Sequence, residues 1–339
     1  MSPRSANRRR VLVAASTLAA GLAGWPARGL GASVPARIGL LLLGAPGQRD
    51  EVDRNLLIGL NELGYAEGRN LLLERRYAHS ELARLAGFAQ EFVEKKLDAI
   101  VTTCTPTTRA AHAATQSIPI VMIAVSDPVA SAFVQSLAHP GTNVTGRSSQ
   151  SNDIVPKMLD LFVQSVPRAS PLAVLVNVTN PAQEPLWQHA LQVAKALNLE
   201  LQRIELRSAA NVRGEDLPAA FERAVAGRAG GVFVLPDDPM NLLNRARIIA
   251  LAQQHRLPAL YGPSEFPESG GLMSYGESIA DSARLSARHV DRLLKGARPD
   301  TLPVEQPTRF ELVVNLQTAR QLGVAIPKDM LVIADRVIE

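Results

Sequence analysis

A chain of 339 residues, 46% hydrophobic and 20% charged, has an ordinary globular composition and is long enough for two domains of about 150 residues each. Its formal charge of +4 misleads, because residues 1–32 hold five arginines (Arg4, Arg8, Arg9, Arg10, Arg28) and no acid; 36 less 5 leaves 31 basic against 32 acidic side chains. The remainder offers no electrostatic argument for nucleic acid or an anionic membrane, and no nucleic-acid partner is expected.

The first 32 residues follow the order of an export signal. Arg8-Arg9-Arg10 precede an apolar run from Val11 to Ala23, and Gly29-Leu30-Gly31-Ala32 offers small residues for cleavage. The run is too short and too rich in alanine and glycine for a permanent span. A twin-arginine and a general secretory route both fit, and the periplasm is the expected destination. No cysteine lies near the cleavage region, which argues against a lipid anchor. Cys104 is the only cysteine, so no intrachain disulfide can form.

From Arg37 onward apolar runs alternate with amphipathic helices. Ile38–Leu43 reads as a buried strand, and Val52, Leu56, Leu60 and Leu63 as a helical stripe stopped by Gly64. A strand at Leu71–Arg75, a helix through Leu82, Leu85, Ala89 and Phe92, and a strand at Ala99–Thr103 follow. Pro106–Thr115 reads as a helix with proline in its first turn, and Ile118–Val125 as a strand. After Asn143–Gly146 the alternation restarts. Helices at Ile154–Val166, Leu186–Leu197, Leu217–Val225 and Asn241–Gln254 interleave with strands at Leu172–Val176, Leu199–Leu206, Gly231–Leu235 and Ala259–Tyr261. Leu272–Tyr275 is a short extended run. A helix then carries Ile279, Ala283, Ser286 and Val290 on one face, with Ser278 and Asp281 spaced as a capping box and Gly296 as its left-handed stop. Phe310–Val314 is the last extended run. This alternation predicts an α/β fold of two doubly wound, parallel-sheet lobes.

Ligands of open α/β sheets gather outside the carboxyl ends of the strands. The polar residues at those ends are Thr105, Thr107, Thr108, Ser126 and Asp127 in the first half. In the second they are Asn177, Thr179, Asn180, Asp237, Asp238, Tyr261 and Glu265. Hydroxyls and backbone N–H groups around Thr105–Thr108, at a helix N-terminus, suit a carboxylate; equally, Thr105 simply caps its helix. Asp127, Asp237, Asp238 or Glu265 suits an ammonium, and Tyr261 or Tyr275 suits a flat ligand or packs at a hinge. Cys104 reads as a small buried hydrophobe. The six histidines show no metal spacing, no cofactor is expected, and no nucleotide-binding or hydrolase motif is present, so no catalytic residue is assigned.

Several separated stretches resemble the solute-binding proteins of a bacterial ABC transporter family. They are LIGLNELGYAEGRNLLLE, ATQSIPIVMIAVSDPV with LAHPGTNVTG, VLVNVTNP, VLPDDPM with LPALYGPSEF, GGLMSYG, LLKGARP and LPVEQPTRFELVVNLQTARQLGVAIP, in the family's order. That family has the periplasmic-binding-protein type I fold and includes tryptophan binders. The resemblance implies three crossings between lobes: residues 33–145 plus 276–305 as lobe 1, and 146–275 plus 306–339 as lobe 2. It also implies an exported receptor that closes on a small molecule, amino-acid-like or carboxylate-bearing, and presents it to a membrane permease. The alternative is a periplasmic sensory protein feeding a signalling receptor.

Overall fold

The computed structural model describes residues 35–47, 50–207 and 216–339; residues 1–32, expected from their sequence to direct export, lie outside them. The first sheet is built from β1 (Ala36–Leu42), β2 (Leu71–Tyr77), β3 (Ala99–Thr102), β4 (Ile120–Val125) and β5 (Val144–Ser148), all parallel, in the order β2-β1-β3-β4-β5. β1 is nearly all apolar because both of its faces are covered: Ile38, Leu40, Leu41 and Leu42 are fully buried. Its helices are α1 (Asp50–Glu62), α2 (Arg84–Glu94) and α3 (Thr105–Ala114). Val52, Leu56 and Leu60 of α1 are buried, while Leu63, just past the helix end, is exposed.

The second lobe holds α4 (Ser151–Ser165), β6 (Leu172–Asn177), α5 (Gln183–Ala196), β7 (Leu201–Leu206), α6 (Leu217–Ala226), β8 (Gly231–Val234), α7 (Pro239–Leu243), α8 (Arg245–Gln254), β9 (Ala259–Tyr261), α9 (Glu265–Glu268) and β10 (Met273–Gly276). The chain then returns to the first lobe as α10 (Ile279–Leu294). It crosses once more into β11 (Glu311–Asn315), α11 (Leu316–Leu322), α12 (Lys328–Ile333) and β12 (Arg336–Ile338). The second sheet runs β12-β11-β10-β9-β8-β6-β7, parallel except where β11 meets β10 antiparallel. The expected two doubly wound lobes joined by three crossings are therefore present, with one antiparallel pair where the last crossing enters.

Local departures from the sequence expectation have local causes. Asn143–Gly146, read as the start of a crossing, leads into the fifth strand of the first sheet. Gly146 permits that pairing, since its φ is +124° and a Cβ would stand 2.3 Å from the Met122 carbonyl oxygen. The single helix expected over Asn241–Gln254 is two, because the Asn244 amide donates to the Met240 carbonyl at 2.9 Å and ends α7. By contrast α10 starts and stops where expected. The Ser278 hydroxyl accepts from the Asp281 N–H at 3.1 Å, and Gly296 is left-handed at φ +93°.

Although encoded after the second lobe, α10 packs on α1, β4 and β5 of the first. Gly59 of α1 lets the two helices meet, since a Cβ there would lie 2.2 Å from the Arg284 carbonyl oxygen. One hydrophobic cluster runs unbroken from β1, α1 and α10 into β6, β8 and α6–α8, so the lobes share apolar contact beside the crossings.

Candidate functional site

Both sheets reverse their strand order at the lobe's first strand, β2-β1-β3 in one and β7-β6-β8 in the other. The carboxyl ends of β3 and β8 therefore open onto a crevice. The cleft found there holds about 780 Å³, counting the part open to solvent. The first lobe supplies Thr103, Cys104, Thr105, Ala124 and Ser126. The second supplies Val234–Pro239, Asn241, Leu242, Gly262, Pro263 and Phe266. Ile154 of α4 joins them, and the crossings supply the rest: Ser149, Gln150 and Ser151 from the first, Gly276, Glu277 and Ile279 from the second, Phe310 from the third. Gly276 is required where β10 leaves the sheet, because a Cβ would lie 2.4 Å from the Gly262 carbonyl oxygen.

Of the residues selected from the sequence, Thr105, Ser126, Asp237 and Asp238 line this cleft together. Asp238 caps α7, its Oδ1 accepting from the Met240 N–H at 2.9 Å. Asp237 is held left-handed at φ +59°; its Oδ1 accepts from the Ser149 hydroxyl at 2.9 Å and its carbonyl oxygen from the Asn180 amide at 3.0 Å. Burial pushes the carboxyls of Asp237 and Asp238 up to about 6. Nearby Ser151, Ser149 and Ser126 hydroxyls partly oppose this at Asp237, and the Met240 N–H does so at Asp238.

The others lie elsewhere. Thr107 and Thr108 are fully buried and their hydroxyls are engaged inside the fold. Thr107 Oγ1 accepts from the N–H groups of Thr103 and Cys104 at 3.1 Å each and donates to the Cys104 carbonyl at 2.9 Å. Thr108 Oγ1 donates to the same carbonyl and meets Thr102 Oγ1 at 2.7 Å. Asp127 is exposed and closes a turn through the N–H groups of Val129 and Ala130. Tyr261 is buried against Phe266, ring centroids 4.3 Å apart. Glu265 faces the N-terminus of α10, where its Oε1 accepts from Ile279 and Ala280. Asn177, Thr179 and Asn180 line a neighbouring, more apolar groove with Leu43, Leu85 and Met240, which shares Thr105, Asp238 and Pro239 with the cleft.

Sequence reasoning passed over the crossing residues, Ser149, Ser151 and Glu277 above all. Glu277 is 9% exposed; its Oε2 accepts from the Ser282 hydroxyl at 2.6 Å and its Oε1 has no hydrogen-bond partner. Burial, with the like charges of Asp237 and Glu265, pushes it up to about 7, and Arg147 only partly offsets this. The available signal was a glutamate inside an otherwise short linker between a strand and a helix cap. Behind it Arg147, itself buried, pairs with Glu305 Oε2 at 3.0 Å and so joins the end of β5 to the start of the third crossing. Among the described residues no group of histidine, cysteine, aspartate or glutamate side chains is arranged to hold a metal.

Comparison with known proteins agrees with this architecture. A tyrosine-binding protein of Clostridioides difficile is 26% identical over 275 residues, 80% of this chain and 76% of the relative. The crystal structure of a conserved domain protein from Vibrio cholerae is 28% identical, with a TM-score of 0.81 over 89% of this chain and 99% of that one. An ABC domain from Streptococcus pneumonia, solved in complex with L-Trp, shares the fold at a TM-score of 0.81 and 22% identity, over 90% of this chain and all of the other. Residues 44–338 match the model of the ABC transporter substrate binding protein family, and the chain belongs to that family.

Proposed function

We propose that the chain is the exported solute-binding component of an ABC-type importer. In this reading it works in the periplasm, takes an amino-acid-like or carboxylate-bearing small molecule between its lobes, and hands it to a membrane permease without breaking a bond. The observation that carries the reading is the cleft itself, whose walls come from both sheets and whose floor is made by all three crossings. A ligand held on both sides has higher affinity for the closed arrangement, so binding shifts the population toward it. The tyrosine-binding relative and the L-Trp-bound neighbour support amino acids as the first solutes to try. Small-angle scattering of the mature protein with saturating L-tyrosine or L-tryptophan, or any solute that raises its melting temperature, tests the proposal. A smaller radius of gyration is expected on binding, and an unchanged radius with a saturating solute counts against a closing receptor.

A further inference from the structure

The described lining of the cleft carries three carboxylates, Asp237, Asp238 and Glu277, and no lysine, arginine or histidine. One oxygen of each (Asp237 Oδ2, Asp238 Oδ2 and Glu277 Oε1) is buried without a hydrogen-bond partner. Buried carboxylates are normally matched by a cation or by donors to every lone pair. The one guanidinium that acts on Glu277, that of Arg147, is shared with Glu305, to which its Nη1 donates at 3.0 Å, and its Nε is buried without a hydrogen-bond partner. One shared guanidinium behind the lining does not balance three carboxylates within it, so the charge the cleft lacks is positive. Glu277 is the most telling member, since it is more than nine-tenths buried and sits on the crossing between β10 and α10 rather than on either lobe's wall.

We propose that the solute itself supplies the cation: a compact ammonium group seated on Glu277 and Asp237, at the junction of the second crossing with the end of β8. The inference rests on the cleft being the solute site and narrows the class of solute. A molecule with a carboxylate and no ammonium would bring a further acid to a lining that already holds three. A zwitterion would place its ammonium here and its carboxylate toward the first turn of α3, where Thr105 lines the same cleft and the helix dipole favours an anion. Phe266, Phe310, Ile154 and Leu242 give the rest of the molecule an apolar wall.

The test uses matched probes on the mature protein: L-tyrosine and L-tryptophan, their deaminated acids 3-(4-hydroxyphenyl)propanoate and 3-(indol-3-yl)propanoate, and the standard L-amino acids, with a neutral polyol and calcium chloride as controls. Native mass spectrometry after incubation with a deproteinised cell extract identifies any solute outside that set. Ammonium-bearing solutes are expected to bind at least about 100-fold more tightly than deaminated partners. Glu277→Gln is expected to weaken them at least tenfold, with an unchanged circular dichroism spectrum. Asp237→Asn, which keeps size and shape, gives a second reading should Glu277→Gln fold poorly. Equal binding of a deaminated acid, preferred binding of the polyol, saturable binding of calcium alone, or an extract-derived solute without a cationic group overturns the inference and leaves the receptor reading standing. Retention of no small molecule at all overturns both.

Discussion

The hydroxyl of Ser149 donates to Oδ1 of Asp237 at 2.9 Å, tying the first crossing to the turn that ends β8. That carboxyl, with those of Asp238 and Glu277, is held above its ordinary range by burial, at about 6, 6 and 7. Between about pH 4 and pH 7 the folded protein keeps protons on these groups that the unfolded chain has released. Their contribution is fully present below about pH 4 and is lost as the pH rises through 6 to 7. Glu277 faces Asp237 and Glu265, which push it up, and Arg147, which pulls it down. His289 works in the opposite sense: burial keeps it neutral, so its contribution is lost as the pH falls below 6.5. With three groups against one, the ligand-free protein is expected to melt lower at about pH 8 than at about pH 5. Asp237→Asn combined with Glu277→Gln should flatten that slope, and a double variant as steep as the parent would refute the assignment.

Thr107 and Thr108 separate a structural role from a binding one. Replacing both by valine removes the acceptor of two backbone N–H groups and the partner of Thr102. An unsatisfied buried donor costs about 1–3 kcal/mol, so the double variant should lose at least about 2 kcal/mol in urea unfolding. Solute affinity of the folded fraction should change less than threefold, because neither residue lines the cleft. A stable variant with lost affinity would return these hydroxyls to the binding site.

Gly59→Ala tests the seat of α10. The added methyl would meet the Arg284 carbonyl at 2.2 Å and the Ala287 side chain at 2.8 Å, so the helices must move apart. Overpacking of this kind costs about 1–3 kcal/mol. The midpoint of denaturant unfolding should fall accordingly. Gly64→Ala, where the new methyl would have no atom within 4 Å but φ is +91°, reports backbone strain alone.

Export carries its own prediction. The charge, apolar run and small residues of 1–32 stand in signal order. Intact-mass spectrometry of the protein recovered from the periplasm should give an N-terminus near Ser33. A mass that retains Met1–Ala32 would argue against cleavage there.

The alternation of β and α was legible because parallel strands buried on both faces, such as Ile38–Leu42 and Leu172–Val176, stand out as unbroken apolar runs. The caps of α10 were legible for the same local reason, the Ser278 hydroxyl and Gly296 acting within their own turns. The cleft was legible only in part. Strand ends led to Thr105, Ser126, Asp237 and Asp238, which line the cleft, but which way a side chain points after the strand ends is set by tertiary packing. Thr107 and Thr108 turn inward under α3, Glu265 turns to the start of α10, and Tyr261 stacks on Phe266. Glu277 was missed for a different reason. Its significance comes from Asp237 and Asp238, some forty residues earlier in the chain, and no local pattern links them. The small α9, α11, α12 and β12 carry too few residues for a period to show.

The late position of α10 has a consequence for how the molecule is made. A chain delivered N-terminus first presents β1–β5 and α1 early, yet the buried face of α1 lacks its partner until residues 279–294 have followed. By then every strand of the second lobe except β11 and β12 has been delivered. The lobe that is begun first is thus finished late, and for most of the interval the face of α1 around Gly59 lacks the helix that packs on it. A nascent or translocating chain in that state offers a hydrophobic face to any holdase it meets, and the last helix of the first lobe acts as the latch that withdraws it.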